Sequence, residues 1–183
     1  MRDRHDGAAE VTLRDGSTVQ IRPVRADDAT AVRSLFQGLS ETSKRLRFCA
    51  VRPNLDCVVG WATEVDHRRR DGLVAIAGDN GHVIAHVGFE RDDQHQDRAE
   101  FAIVIADRYQ GRGLGTILLG RLAAMGDRAG VQTFIGEVSA DNHPALRMLC
   151  HSGFEASFRR MYGVVVVEVP TSPDRMGGTV RAA

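Results

Sequence analysis

At 183 residues the chain is long enough for one domain with a real core and short for two. Its 24 Lys and Arg balance 24 Asp and Glu, so no global field favours nucleic acid or an anionic membrane surface. Hydrophobic residues make up 43%, no apolar run approaches membrane-spanning length, and the charged start from Met1 to Asp6 precedes no signal-peptide core, so a soluble cytoplasmic protein is expected.

Residues 1–10 are polar and read as a flexible N-terminus. The run from Val11 to Arg22 reads as a hairpin turning at Asp15-Gly16, with Val19 to Pro23 as the first strand of the main sheet. Asp27 or Asp28 can cap a helix carrying Ala31, Val32, Leu35, Phe36 and Leu39 at helical spacing. Ser40 can cap a second helix to about Phe48, and Leu55 to Val65 reads as a third, with Trp61 packed. His67-Arg-Arg-Arg-Asp71 is a charge run, either a solvated loop or a contact for an acidic substrate surface.

Leu73 to Ala77 and His82 to Phe89 read as strands around an Asp79-Asn80-Gly81 turn. His82 and His86 would share a face of an extended segment, with no third ligand to make a metal site. After a polar turn, Arg98 to Ile105 is a strand, apolar at successive positions as if covered on both faces. Glu100 is the charge inside it. A carboxylate there would lose hydration and become a stronger base; the alternative is a structural ion pair with an arginine.

The stretch Asp107 to Thr116, Asp-Arg-Tyr-Gln-Gly-Arg-Gly-Leu-Gly-Thr, follows that strand. Leu114, Ile117, Leu118, Leu122, Met125 and Ala129 then recur at spacings of three and four, so a helix starts here. Its first N–H groups have no partner within the helix and sit at the positive end of its dipole. Gly111, Gly113 and Gly115 would let an anion approach them, and Arg112 can add a charged hydrogen bond. A phosphate, or better a diphosphate, is the expected ligand. A dinucleotide fingerprint would need a third glycine where Thr116 stands, and an NTP-binding loop would need a lysine after the glycines. The alternative is a set of glycines that merely closes a turn.

Val131 to Val138 reads as a further strand, and Asn142 opens a helix that runs toward Gly153-Phe154. The last strand lies near Val164 to Val169, and 170–183, rich in Pro, Gly, Ser and Thr, reads as a flexible tail. One domain over 11–169 is expected. Cys49, Cys57 and Cys150 are odd in number and lack C-x-x-C spacing, which argues against a disulfide framework or zinc site. Lys44 is the only lysine among the 24 basic residues. GC-rich codon usage would produce that, and so would an enzyme that acylates lysines and presents few of its own.

Gln110-x-x-Gly113-x-Gly115, the strand before it and the Asn142 helix ending at Gly153-Phe154 resemble the signatures of the GNAT superfamily of N-acetyltransferases, over roughly residues 18–168. The resemblance implies an α/β (mixed α+β) fold with a central, mostly antiparallel sheet of six or seven strands, splayed in the middle and flanked by helices. It implies acetyl-CoA as co-substrate, with no metal. The diphosphate would lie on Gln110, Gly111, Arg112, Gly113, Leu114, Gly115 and Thr116. The pantetheine arm would pair with the backbone of Ile103, Val104 and Ile105, and Asn142 would contact that arm besides capping its helix. Residues 40–65 would wall the acceptor groove. Glu100 takes the place of the family's general base. Many members protonate the leaving thiolate with a tyrosine seven residues after the asparagine; Leu149 stands there, and Tyr109 and Tyr162 are elsewhere. The general acid is therefore unassigned, and Cys150 beside it reads as a packed small side chain.

The run from Arg14 to Asp28 and that from Leu39 to Phe48 also resemble the acetyltransferase domain of bacterial protein lysine acetyltransferases, whose substrates include acyl-CoA synthetases. Many of those fuse the domain to a cyclic-nucleotide-binding or CoA-ligase-like domain, for which this length leaves no room. A protein lysine acceptor, a small-molecule amine acceptor and a non-catalytic acyl-CoA-binding module are the readings carried forward.

Overall fold

The computed structural model describes residues 8–48, 54–78 and 81–172. Cys49, Asp79, Asn80, the start of the chain and most of the expected tail lie outside the described residues. Among the described residues eight strands form one sheet in the order β1-β2-β3-β4-β5-β6-β8-β7. They are β1 (Ala9–Thr12), β2 (Thr18–Pro23), β3 (Arg70–Ala77), β4 (His82–Arg91), β5 (Arg98–Ile105), β6 (Thr133–Ser139), β7 (Ser157–Met161) and β8 (Val164–Pro170). Neighbours run antiparallel except β5 and β6, which are parallel. The eighth strand is β7, which the sequence reading passed over. All five of its residues are exposed, so it lacks the apolar alternation that marks a strand.

Helices cover both faces. Alternation along β5 sends Ala99 and Phe101 into a core with Leu114, Leu118 and Leu122 of α4 (Leu114–Ala129) and Leu149 of α5 (His143–Cys150). Val104 enters a second core on the opposite face, with Val32 and Phe36 of α1 (Ala29–Gln37) and Val59 of α3 (Leu55–Thr63). Between those helices, α2 (Glu41–Phe48) buries no residue fully and Phe48 alone of it packs on the second core. Gly126 lets α4 lie close on the sheet, since a Cβ there would sit 2.6 Å from Cζ of Phe134.

Asp28 does not cap α1 with its side chain. Its carboxylate takes a two-point contact from Arg22 of β2, at 2.6 and 2.7 Å, and the Arg25 N–H at 2.8 Å. The sheet is thereby pinned to the start of the helical layer. Ile84 is an extra residue in β4, because the register jumps from Ala75↔Ala85 to Ile76↔Val83. The bulge puts His82 and His86 on opposite faces, contrary to the shared face that an unbroken strand would give. Among the described residues no group of His, Cys, Asp and Glu could hold a metal, and Cys57 and Cys150 are free and exposed.

Candidate active site

β5 and β6 pair only at Arg98↔Thr133, Ala99↔Phe134 and Glu100↔Ile135. Past Glu100, β5 stays with β4 as far as Ala85↔Ile105, while β6 stays with β8 as far as Ser139↔Val164. The sheet therefore splits between the two central strands. The Asp97 carbonyl accepts from Gln132 and Thr133, so odd-numbered residues of β5 aim their main chain toward β6. Ala106 N–H donates to Ile84, so even-numbered ones face β4. Ile103 and Ile105 thus present backbone groups to the gap. Val104 does not: its main chain is paired with β4 opposite His86, which corrects its expected role. Gln110 Nε2 already donates to the Ile105 carbonyl at 3.0 Å, leaving the Ile105 N–H and both Ile103 groups facing the split. Phe101 floors it, its ring lying where a Cβ on Gly136 would be 2.7 Å from Cε1.

Glu100 points to the face of α1 and α3 and is exposed. The desolvated environment expected for it is absent, and no arginine pairs with it among the described residues. Sequence reasoning missed its neighbour. Glu90 lies directly across the β4–β5 ladder, on the same face. It accepts from Trp61 Nε1 at 2.7 Å and from Arg70 at 2.9 Å, with Arg69 at 3.2 Å. Partial burial works against its charge, but Arg70, Trp61 and Arg69 outweigh it and hold the carboxyl below its usual range. Of the two carboxylates, Glu90 is committed to structure and Glu100 is open to a ligand. The charge run from His67 is likewise structural in part: Asp66 gathers the N–H groups of Arg68, Arg69 and Arg70, which hold its pKa at about 2. Behind Trp61, His86 is buried over Gly72 and Gly88 and bonds the Ala62 carbonyl at 3.0 Å. Burial, aided by Arg47, pushes its pKa down to about 4, so it is neutral.

After β5 a short 3-10 turn, Asp107–Tyr109, leads into the glycine loop. Gly111 and Gly113 have φ of +74° and +88°, and Gly113 is the residue from which α4 starts. The bond from Ile117 N–H to the Gly113 carbonyl, 3.3 Å, opens the helix. The N–H groups of Leu114, Gly115 and Thr116 precede it and are the helix's orphan donors. A Cβ on Gly115 would meet Ile105 and Met148 at 3.4 and 3.5 Å, ordinary packing distances, so α4 lies against β5 and α5 at this point. Gly113→Ala is expected to destabilise the fold by about 1–2 kcal/mol, the cost of a left-handed alanine. Gly120→Ala, mid-helix with open space, is expected to stabilise it by up to about 1 kcal/mol. Thermal melts of the two variants should move in opposite directions.

The loop is tied to α2. Asp107 accepts from Ser40 N–H at 2.9 Å, Ser40 Oγ at 2.7 Å and Ser43 Oγ at 2.5 Å. Partial burial opposes the charge of Asp107, but these donors more than offset it and keep its pKa lowered. Arg45 of α2 approaches Asp141 at 3.9 Å, next to Asn142. α2 therefore spans from the end of β5 to the end of β6, across the split. Asn142 caps α5 through Oδ1, which accepts from Ala145 N–H at 3.2 Å. Leu149 is 2% exposed, a core side chain in the position of the family's tyrosine. Arg108 and Arg112 both lie over the ring of Tyr109, their guanidinium carbons 5.0 and 5.1 Å from its centre.

Residues 33–154, two-thirds of the chain and the whole of this site, match the Acetyltransferase (GNAT) family. The chain belongs to that family. It is 33% identical over 164 residues to acetyltransferase Pat of Mycolicibacterium smegmatis, covering 89% of this chain and 49% of that relative. It is 28% identical over 146 residues to acetyltransferase PA5475 of Pseudomonas aeruginosa, covering 78% of each. Among solved structures, the GNAT domain of PAT from S. lividans superposes with a TM-score of 0.79 at 32% identity, over 89% of this chain and 96% of that one. The chain spans about half the length of the mycobacterial relative. The GNAT fold expected from the resemblance is thus found, with eight strands in place of six or seven. The split between β5 and β6 lies where the resemblance led to the expectation of a splay in the sheet. No helix among the described residues is long and apolar enough to cross a membrane.

Proposed function

We propose that the protein transfers the acetyl group of acetyl-CoA to the side-chain amine of a protein lysine, by direct attack on the thioester. The observation that carries this is the split past Glu100, where Ile103 and Ile105 present main-chain groups and the orphan N–H groups of Leu114, Gly115 and Thr116 stand at its end. A pantetheine arm, an extended chain of amides, pairs with Ile103 and Ile105 as a strand would. A diphosphate is held by the loop from Gln110 to Thr116, with Arg112 supplying charge. Asn142, its oxygen engaged by the cap, offers its amide N–H groups to the arm. A solved acetyltransferase from Salmonella typhimurium, 18% identical and with a TM-score of 0.65, is described with its cofactor acetyl-CoA.

Glu100 takes the proton from the attacking amine, directly or through a water. A lysine amine has a pKa near ~10.4, so at neutral pH its deprotonation costs about 4–5 kcal/mol, which a positioned base partly recovers. The amine nitrogen bonds to the acetyl carbon, the carbon–sulfur bond breaks, and CoA leaves as a thiolate that solvent protonates, Leu149 having no proton to give. A backbone N–H on β5 polarises the thioester carbonyl. Similarity to Pat acetyltransferases favours a protein acceptor, and an acyl-CoA synthetase is the partner class to try first.

The test is CoA-thiol release from acetyl-CoA, with acetyl-lysine mapped by mass spectrometry on candidate proteins. Turnover with new acetyl-lysine supports the reading. Turnover with small amines alone would replace the acceptor class, and CoA binding without turnover on any acceptor would make the domain a sensor.

A further inference from the structure

The β1–β2 hairpin reaches the loop that follows β5. Arg14 N–H donates to the Arg112 carbonyl at 3.1 Å. Next to it, Asp15 Oδ2 meets Nη1 of Arg112 at 2.5 Å, while its Oδ1 is fixed by the Ser17 N–H at 3.1 Å and the Ser17 hydroxyl at 2.6 Å. The Arg14 side chain lies over Gly113, where a Cβ would be 3.2 Å from Nε. One cation and one anion from almost a hundred residues upstream therefore stand at the loop, and the acetyl-transfer chemistry uses neither. Arg112, expected to be available to an anion, is paired.

We propose that this hairpin is part of the diphosphate site: Arg14 gives the diphosphate a second guanidinium beside Gly113, and Asp15 holds Arg112 until the diphosphate displaces it. The inference rests on the acetyl-CoA reading and extends it. A guanidinium matches phosphate oxygens by two-point hydrogen bonding, and a diphosphate has oxygens enough for two such groups. The Arg112–Asp15 pair is about one-third exposed on each side, 34% and 39%, so it is weak enough for a doubly charged ligand to replace. While paired, Asp15 fixes the guanidinium near where it is needed and neutralises it in the empty site.

The test is titration calorimetry of the full chain with CoA and with dephospho-CoA, which keeps the diphosphate and lacks the 3′-phosphate. Arg14→Gln is expected to weaken CoA about 10–100-fold, the worth of one hydrogen bond to a charged group. Asp15→Asn is expected to tighten it about 2–5-fold, the worth of an exposed ion pair. Glu10→Gln, the same charge change on the same hairpin away from Arg112, should leave binding unchanged. Both effects should persist with dephospho-CoA. Parent-like binding by Arg14→Gln and Asp15→Asn, each verified as folded by its melt, would overturn the proposal. So would effects that vanish with dephospho-CoA, or a Glu10→Gln change equal to that of Asp15→Asn. A parent that binds no CoA would instead sink the acetyl-CoA reading beneath it.

Discussion

Glu100→Gln is expected to lower acetyl transfer to an amine by about 10²–10⁴-fold, the usual contribution of a general base. Glutamine keeps the size and polarity of the side chain but accepts no proton. Glu100 is exposed at the surface of β5, so the substitution disturbs no packing, and the melt and the affinity for CoA should stay as they are. The residual activity should climb with pH about tenfold per unit toward the amine's own pKa of ~10.4, because the variant depends on amine that is already neutral. Stopped assays from pH 6 to 10 would record this. A variant with parent turnover across that range would show that Glu100 is no base, while leaving the acetyltransferase assignment in place. Glu90→Gln is the comparison: its carboxylate holds Trp61, Arg70 and Arg69, so its loss should appear first in stability.

Asp28→Ala is expected to destabilise the domain by about 3–5 kcal/mol, since it strands a charge partner inside. Side-chain exposures of 7% for Asp28 and 17% for Arg22 mean that water cannot replace the lost contact fully. The Arg25 N–H loses its acceptor too. The melting temperature should fall by roughly 6–20 °C, at about 2–4 °C per kcal/mol for a domain of this size. Burial pushes the Asp28 carboxyl up, but Arg22 and the Arg25 N–H prevail and its folded pKa lies below normal. The stability it confers is therefore full above the unfolded carboxylate value of ~3.9 and is lost as pH falls through the lower folded value. Urea melts of parent and variant should converge in acid and stand furthest apart at neutral pH. An unchanged midpoint at pH 7 would mean that this ion pair contributes little.

The part of the site that could be read from the sequence is the part made by neighbours in the chain. A strand, a glycine-spaced turn and a helical period follow one another from Arg98 to Ala129, and each leaves a local signature. The Asn142 cap is local in the same way. What stayed hidden was set by register and by distant contacts. Glu90 became the neighbour of Glu100 only through the β4–β5 ladder. The bulge at Ile84 parted His82 from His86, and nothing in the composition of β4 announced it. The resemblance implies one role for Ile103, Val104 and Ile105, but the ladder turns the main chain of Val104 toward β4 and away from the split. That Ile105 and Met148 pack beside Gly115 is set by the placement of α4 on β5 and α5, which no local pattern shows. Asp15 and Arg112 are ninety-seven positions apart, beyond any periodicity.

The seam at β5 and β6 has a mechanical meaning. Strands β1 to β5 and strands β6 to β8 are two plates joined along three residue pairs. On the reading proposed above, a thioester carrier lying in the seam would complete rungs that the polypeptide leaves out, acting as a borrowed strand. Saturated at a hundred times its dissociation constant, such a ligand adds about 2.7 kcal/mol to stability. The Ile103 and Ile105 amides of β5 should then exchange with solvent far more slowly in the loaded protein than in the unloaded one.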